Sequence, residues 1–217
     1  MPIEAVVFDL DGVLVDSEQV WDDARRELVR RAGGRWKDRA TTDMLGMSSP
    51  EWSRYMRDEL GVDMEPEEIN AAVVAEVEAR YRAQLPLLPG AVEAVERMAV
   101  RWPLGLATSS NREIIDLFLE LSGLRERFAV AVSSEEVGSG KPAPDVYLEA
   151  CARLHVDPHH AAALEDSSNG LRAAYAAGTR VVAVPNPHFP PEPDALARAH
   201  VRIDSLEELT SELVAGD

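Results

Sequence analysis

One cysteine, two lysines and five histidines are all that this 217-residue chain offers for disulfides, ammonium groups and imidazole metal sites. A lone thiol excludes an internal disulfide. Cys151 shares a helical stripe with Val146, Ala150 and Leu154, which reads it as a small core residue. His155 and His159 have the i,i+4 spacing of a helical metal pair, but Pro158 between them breaks the helix such a pair needs. Long hydrophobic runs are also missing: none approaches the roughly 18 to 20 residues of a membrane span. Met1-Pro2-Ile3-Glu4 leads into the first strand without the basic segment of a secretory leader, so a cytoplasmic protein with no membrane partner is expected. Positive charge is scarce as well. A net charge of −17 repels nucleic acid at long range, and no nucleic-acid partner is expected.

What the chain does have is a hydrophobic content of 46%, enough for a sizeable core, and a length that allows one domain of roughly 150 residues plus a smaller one. Residues 6–17 form an apolar run that ends in two carboxylates one residue apart, followed at once by glycine. Residues i and i+2 of an extended segment point the same way, so Asp9 and Asp11 project together from the end of a strand. Two acids so placed can share a metal, one attacking while the other handles protons. Gly12 suits a sharp, close-approach turn just beyond them. Read alone, the motif also fits a strand ending in a solvated acidic turn. A calcium loop is excluded, because its glycine belongs at the sixth position and an oxygen ligand at the fifth, where this chain has Val13.

Three later segments repeat the form of an apolar run stopping at a polar cluster. Residues 104–107 precede Thr108-Ser109-Ser110-Asn111, residues 129–132 precede Ser133-Ser134-Glu135-Glu136, and residues 161–164 precede Glu165-Asp166-Ser167-Ser168. Helical patterns follow each, which predicts an α/β fold: a Rossmann-like parallel sheet covered on both faces. Ligands of such sheets bind outside the carboxyl ends of the strands, so Asp9, Asp11, Thr108, Lys141, Glu165 and Asp166 should converge on one rim. Lys141 is one of two lysines in a chain rich in arginine, and a compact ammonium fits where a planar guanidinium does not. Gly138-Ser139-Gly140-Lys141 is not a nucleotide-binding P-loop: residue 135 is Glu, and Pro142 replaces the Ser or Thr. Read singly, Thr108 fits a helix N-cap and Glu165-Asp166 an acidic pair leading into a helix.

Between the first and second strands the alternation stops. Residues 17–33, 50–60 and 66–84 show helical periodicity, with Ala, Leu and Val on one face and Arg or Glu on the other, separated by Gly33-Gly34 and Gly61-Val62-Asp63, with Pro66 suited to a first turn. The division expected is a Rossmann-like core of residues 1–16 and 86–217 with an inserted all-helical cap of residues 17–85.

Four motifs in order, Asp9-Leu-Asp-Gly-Val-Leu-Val-Asp16-Ser17, Leu106-Ala-Thr108-Ser-Ser, Lys141-Pro-Ala-Pro-Asp145 and Leu164-Glu165-Asp166-Ser167, span nearly the whole chain. With them it resembles the haloacid dehalogenase superfamily of phosphohydrolases, in the branch that includes β-phosphoglucomutase and sugar-phosphate phosphatases. The resemblance implies a Mg²⁺-dependent phosphomonoesterase acting on a small phosphorylated metabolite, expected as a monomer. Asp9 would be the nucleophile and Asp11 the proton-transfer group. Asp9, Asp11 through its backbone carbonyl, Asp166 and Glu165 would hold the metal. Thr108, Ser109 and Lys141 would hold the transferring phosphoryl group, and Gly12, Ser110, Asn111, Trp21, Gly46 and Ser48 complete the expected phosphate- and substrate-binding set.

The mutases of that branch carry a histidine, an arginine and a lysine in the cap, where this chain has Trp21, Ser49 and Val77. The resemblance therefore implies hydrolysis rather than isomerisation, with Trp21 presenting a stacking surface or packing in the cap. It also implies a cap without a cation to hold a second phosphate, unless Arg80 or Arg82 reaches the site. Hexose-phosphate mutase and a non-catalytic binding protein on the same fold are the alternatives.

Overall fold

Strand β1, Ala5–Phe8, has all four side chains buried, as a central parallel strand covered on both faces requires. The computed structural model describes residues 2–44, 47–187 and 189–216. Five more strands join β1 in one parallel sheet: β2 (Leu104–Thr108), β3 (Phe128–Ser133), β4 (Ala161–Glu165), β5 (Arg180–Ala183) and β6 (Val201–Arg202), in the order β3-β2-β1-β4-β5-β6. Phe8 is in register with Leu106 on one side and Leu164 on the other, so the residues after all three strands meet at one edge. The chain leaves β1 toward β2 and β3, then returns to place β4 on β1's other side. That reversal makes the carboxyl end of β1 the topological switch point, where a crevice opens.

The alternation of β1 sets the two layers. Val6 and Phe8 enter a cluster with Ala94, Val95 and Met98 of an Ala91–Ala99 helix, while Val7 packs with Val146, Tyr147, Ala150 and Cys151 on the other face. Cys151 is buried there with a free thiol, in the small-residue role its helical stripe indicated.

The segment between β1 and β2 is helical: α1 (Glu18–Arg31), α2 (Ala40–Met44), α3 (Ser49–Asp58) and α4 (Pro66–Ala83). The expected helices are present. The short α2 is additional, since Ala-Thr-Thr-Asp-Met has too few apolar positions for a period to emerge. Pro66 occupies the first turn of α4, and the Glu68 side chain accepts the backbone N–H of Glu65 at 3.2 Å. These helices enclose a second core of Trp52, Met56, Ile69, Val73, Val77 and Tyr81, which also takes in Ile114 and Leu117 of the Arg112–Ser122 helix after β2. The helical unit is thereby seated on the sheet unit beside the crevice. No described helix is long and apolar enough to cross a membrane.

Candidate active site

Asp9 follows the last residue of β1, Thr108 ends β2, and Glu165 ends β4 with Asp166 next. Lys141, from the loop after β3, reaches across to the ends of β1, β2 and β4. Its Nζ lies 2.8 Å from Asp9 Oδ1, 2.5 Å from Glu165 Oε1 and 3.3 Å from the carbonyl of Ala107, with only 4% of its side chain exposed. Burial alone drives an ammonium toward its neutral form, but the Asp9 and Glu165 carboxylates outweigh it and hold Lys141 above its ordinary range, charged throughout physiological pH.

Glu165 is fully buried and accepts from five donors. Oε1 takes Lys141 and the Tyr147 hydroxyl at 2.7 Å, while Oε2 takes the backbone N–H groups of Asp166 and Ser167 and the Ser167 hydroxyl. Gly170 stands over it: a Cβ there would sit 1.8 Å from Oε1, so only glycine admits the carboxylate. Glu165 fixes Lys141 from behind and is not among the residues lining the cleft.

Asp11 occupies a different niche. Its Oδ1 accepts the Ser17 hydroxyl at 2.5 Å and the Trp21 indole N–H at 3.2 Å, and its Oδ2 accepts the Ser110 hydroxyl at 2.6 Å and the Thr108 hydroxyl at 3.1 Å. Gly12 has φ +79°, and a Cβ on it would meet Asp166 Oδ2 at 2.0 Å, so this turn needs glycine on both counts.

These groups border a cleft of about 460 Å³, a size that suits a small metabolite. Of the expected site residues, Asp9, Asp11, Thr108, Ser109, Ser110, Asn111, Lys141, Asp166 and Trp21 line it. Gly12 and Glu165 lie directly behind it. Asn111 also ties the two units together: its amide donates to Glu135 at 2.8 Å and Asn70 at 3.2 Å, and its oxygen accepts the Ser49 hydroxyl at 2.9 Å. Ser48 is not brought in. Its N–H and hydroxyl both go to Glu51, at 2.7 and 2.6 Å, capping α3. Gly46 lies outside the described residues.

The expectation of a cap without a cation is corrected by Arg25. This residue of α1 lines the cleft, is 8% exposed, and lies over the rings of Trp21 and Trp52 at 5.3 and 5.1 Å. Arg80 instead pairs with Glu76 and Asp23, and neither it nor Arg82 is among the described residues lining the cleft. By apolar–polar periodicity alone the arginines of α1 fall on its polar face. The missed signal is that Trp21, Arg25 and Leu28 fall at i, i+4 and i+7, which puts a charge on the buried stripe. Thr42, Met44, Met47 and Trp52 of the cap, and Ser167, Arg172 and Phe189 of the core, also line the cleft and were not anticipated. Of the three mutase-position residues, Trp21 touches Asp11, Ser49 touches Asn111, and Val77 is fully buried in the helical core.

Carboxylate oxygens of Asp9, Glu165 and Asp166 lie within 4.8 Å of one another, all three buried. Burial first, then mutual repulsion, pushes Asp166 well above the usual carboxylate range. Asp9 is raised likewise by burial, against the pull of Lys141. One lysine does not neutralise three acids, and the oxygens of Asp9 and Asp166, which face the cleft, suit a hard divalent cation.

Comparison with known proteins agrees with this geometry. Residues 3–178 match the haloacid dehalogenase-like hydrolase family. The chain is 34% identical over 226 aligned positions to hexitol phosphatase B of Escherichia coli K12, covering 99% of this chain and 97% of that protein. Among solved structures, CbbY of Rhodobacter sphaeroides, crystallised with phosphate, superposes with a TM-score of 0.84 at 30% identity, covering 95% of this chain and 96% of that one. A β-phosphoglucomutase of Clostridium difficile shares the fold at TM-score 0.83 and 22% identity, covering 97% and 94%. A match over most of the length, by sequence and by fold, places the chain in a single family: it belongs to the haloacid dehalogenase-like hydrolases.

Proposed function

We propose that this protein is a Mg²⁺-dependent phosphomonoesterase that releases phosphate from a small phosphorylated metabolite, a sugar or polyol phosphate, through an aspartyl-phosphate on Asp9. The observation that carries the reading is the position of Asp9 at the switch point. One of its oxygens is held by buried Lys141, and the other has no hydrogen-bond partner among the described residues. We assign catalysis to the core of residues 1–16 and 86–217 and enclosure of the substrate to the helical cap of residues 17–85.

In this scheme Asp9 attacks phosphorus in line; the bond from carboxylate oxygen to phosphorus forms as the bond to the ester oxygen breaks. Protonated Asp11 gives its proton to the departing oxygen, then takes one from the water that attacks phosphorus, and the Asp9 oxygen leaves with its electron pair. Thr108, the Ser109 backbone and Lys141 hold the phosphoryl oxygens. Asp9, Asp166 and the Asp11 carbonyl are the groups that would hold Mg²⁺, with Glu165 acting from behind. When bound, the ion neutralises charge between the carboxylates and the phosphate dianion.

Hydrolysis is favoured over isomerisation because Trp21, Ser49 and Val77 supply no acid–base group where the mutases carry theirs, and likeness to the mutase shows the fold alone. The test is phosphate release across a panel of phosphomonoesters with Mg²⁺, together with covalent capture of beryllofluoride. Turnover on part of the panel with capture at Asp9 is expected. Phosphate release that persists in Asp9→Asn at the wild-type rate refutes the assignment.

A further inference from the structure

Arg25 is a buried charged side chain with no carboxylate in direct contact. Its guanidinium makes no hydrogen bond or ion pair with any described residue, its Nε is buried without a partner, and the group lies against two indole faces whose ring centroids are 6.2 Å apart. Burial alone lowers its pKa, opposed by Glu18, Asp22 and Asp11, which face it without touching it. Asp22 cannot turn toward it cheaply, since its two oxygens already accept from Arg26 at 2.5 Å and Thr41 at 2.6 Å. The other cations of the cleft are taken: Lys141 by Asp9 and Glu165, Arg172 by Glu192 and Asp194. Arg25 is thus the one cation lining the cleft, among the described residues, whose donors are not already paired.

A desolvated, unpaired guanidinium is costly unless a ligand completes it. Its planar fork matches an oxyanion bidentately, and the tryptophan faces hold its plane in one orientation while adding cation–π attraction. We infer that Arg25 is a specificity-determining residue that receives a second anionic group on the substrate, a carboxylate or a second phosphate, at the cap end of the cleft while the scissile phosphate sits at Asp9. The inference rests on the phosphomonoesterase reading of Asp9. Within the sugar and polyol phosphates it narrows the substrate class to those that carry a further acidic group. It also gives Trp52 a role, as the second wall of the receptor.

The experiment compares non-hydrolysable probes by calorimetry with Mg²⁺: ω-carboxyalkyl phosphonates, alkyl bisphosphonates and the matching ω-hydroxyalkyl phosphonates over a graded series of chain lengths. In the wild type the best carboxylated or bisphosphonate probe should bind about 10- to 100-fold more tightly than its hydroxyl counterpart, the range expected for a charge-assisted bidentate pair. Whichever of the two anions binds better identifies the group. Arg25→Met should erase the preference, Arg25→Lys should keep part of it, and the ratio of kcat/KM between acidic and neutral phosphomonoesters should fall in the same order. Equal affinity for charged and hydroxyl probes in the wild type overturns the inference whether or not the variants fold, as does a preference that survives in folded Arg25→Met. A panel with no phosphate release at all is a failure of the Asp9 reading, whereas release with no preference for a second anion is a failure of the Arg25 assignment alone.

Discussion

The indole N–H of Trp21 donates to Asp11 Oδ1 at 3.2 Å, joining the first helix of the cap to the second carboxylate of the core. Trp21 can only donate, while the three hydroxyls on Asp11 can turn and accept. The indole therefore fixes the direction of the carboxylate, and the hydroxyls accommodate its proton.

Trp21→Phe keeps a ring in the buried stripe beside Arg25 but deletes that donor. Loss of a hydrogen bond to a charged group is worth about 1.5 kcal/mol, so kcat/KM should fall roughly 10-fold with a much smaller change in thermal midpoint. Steady-state kinetics and a melting curve on the same preparation check it. An unchanged kcat/KM would separate Trp21 from the proton-transfer group.

Lys141 is the sole ammonium among Asp9, Glu165 and Asp166. Lys141→Met removes the charge while filling the space, and leaves buried acids unpaired, a change that costs about 3 to 5 kcal/mol in comparable buried pairs. The deficit should shrink as pH falls, because Asp9, raised by its burial, takes up a proton and no longer needs a cation. Urea unfolding of both proteins at neutral and mildly acidic pH measures it. A deficit independent of pH would mean that packing, not charge, is what Lys141 supplies. Turnover should be abolished at every pH.

Much of this arrangement was legible in sequence because it depends on strand ends. An apolar run cannot continue through Asp9-Leu-Asp-Gly, and the parallel pairing of β1 with β2 and β4 brings three such ends together, so strand ends alone put Asp9, Thr108 and Glu165 on one rim. Glu165 shows where that reasoning stops. Its neighbour Asp166 lines the cleft while Glu165 turns inward beneath Gly170, a choice of side that depends on Tyr147 from a helix 18 residues earlier in the chain. Ser48, in the substrate-binding set that the resemblance implies, is instead claimed as a cap by Glu51 three residues on. Arg25 escapes a reading by apolar–polar periodicity, which places the arginines of α1 on its polar face. The cation violates that rule where two tryptophans from different helices meet, and no local window contains both.

Metal dependence should appear in stability as well as in rate. Asp9 and Asp166 are both raised by burial and by neighbouring acids, so a divalent cation that binds only the folded chain relieves them and raises the thermal midpoint. Mg²⁺ titrations followed by melting should show a saturable rise that weakens toward acid pH, where protons compete for the same oxygens. Asp166→Asn should remove most of the rise and the turnover with it. A midpoint indifferent to Mg²⁺ in the wild type, with activity surviving exhaustive chelation, would contradict the assignment.

Glu18 gives the last expectation, and its sign is opposite to that of an ordinary paired carboxylate. Partly buried at the start of α1, with Asp11 nearby, it is raised from about 4.5 to about 7, burial contributing most and the Asp11 charge next, against a smaller pull from Arg25. Between those two values the folded protein holds a proton that the unfolded chain has released, so stability falls as pH rises through this window and the loss is complete above about 7. A shift of this size corresponds to about 3 kcal/mol. Glu18→Gln, which cannot ionise, should therefore match the wild type near pH 4.5 and exceed it in stability by up to that amount at pH 8, measured on the metal-free protein by urea unfolding. If the two curves stay parallel across the range, Glu18 ionises at its ordinary pH and the desolvation ascribed to its burial is wrong.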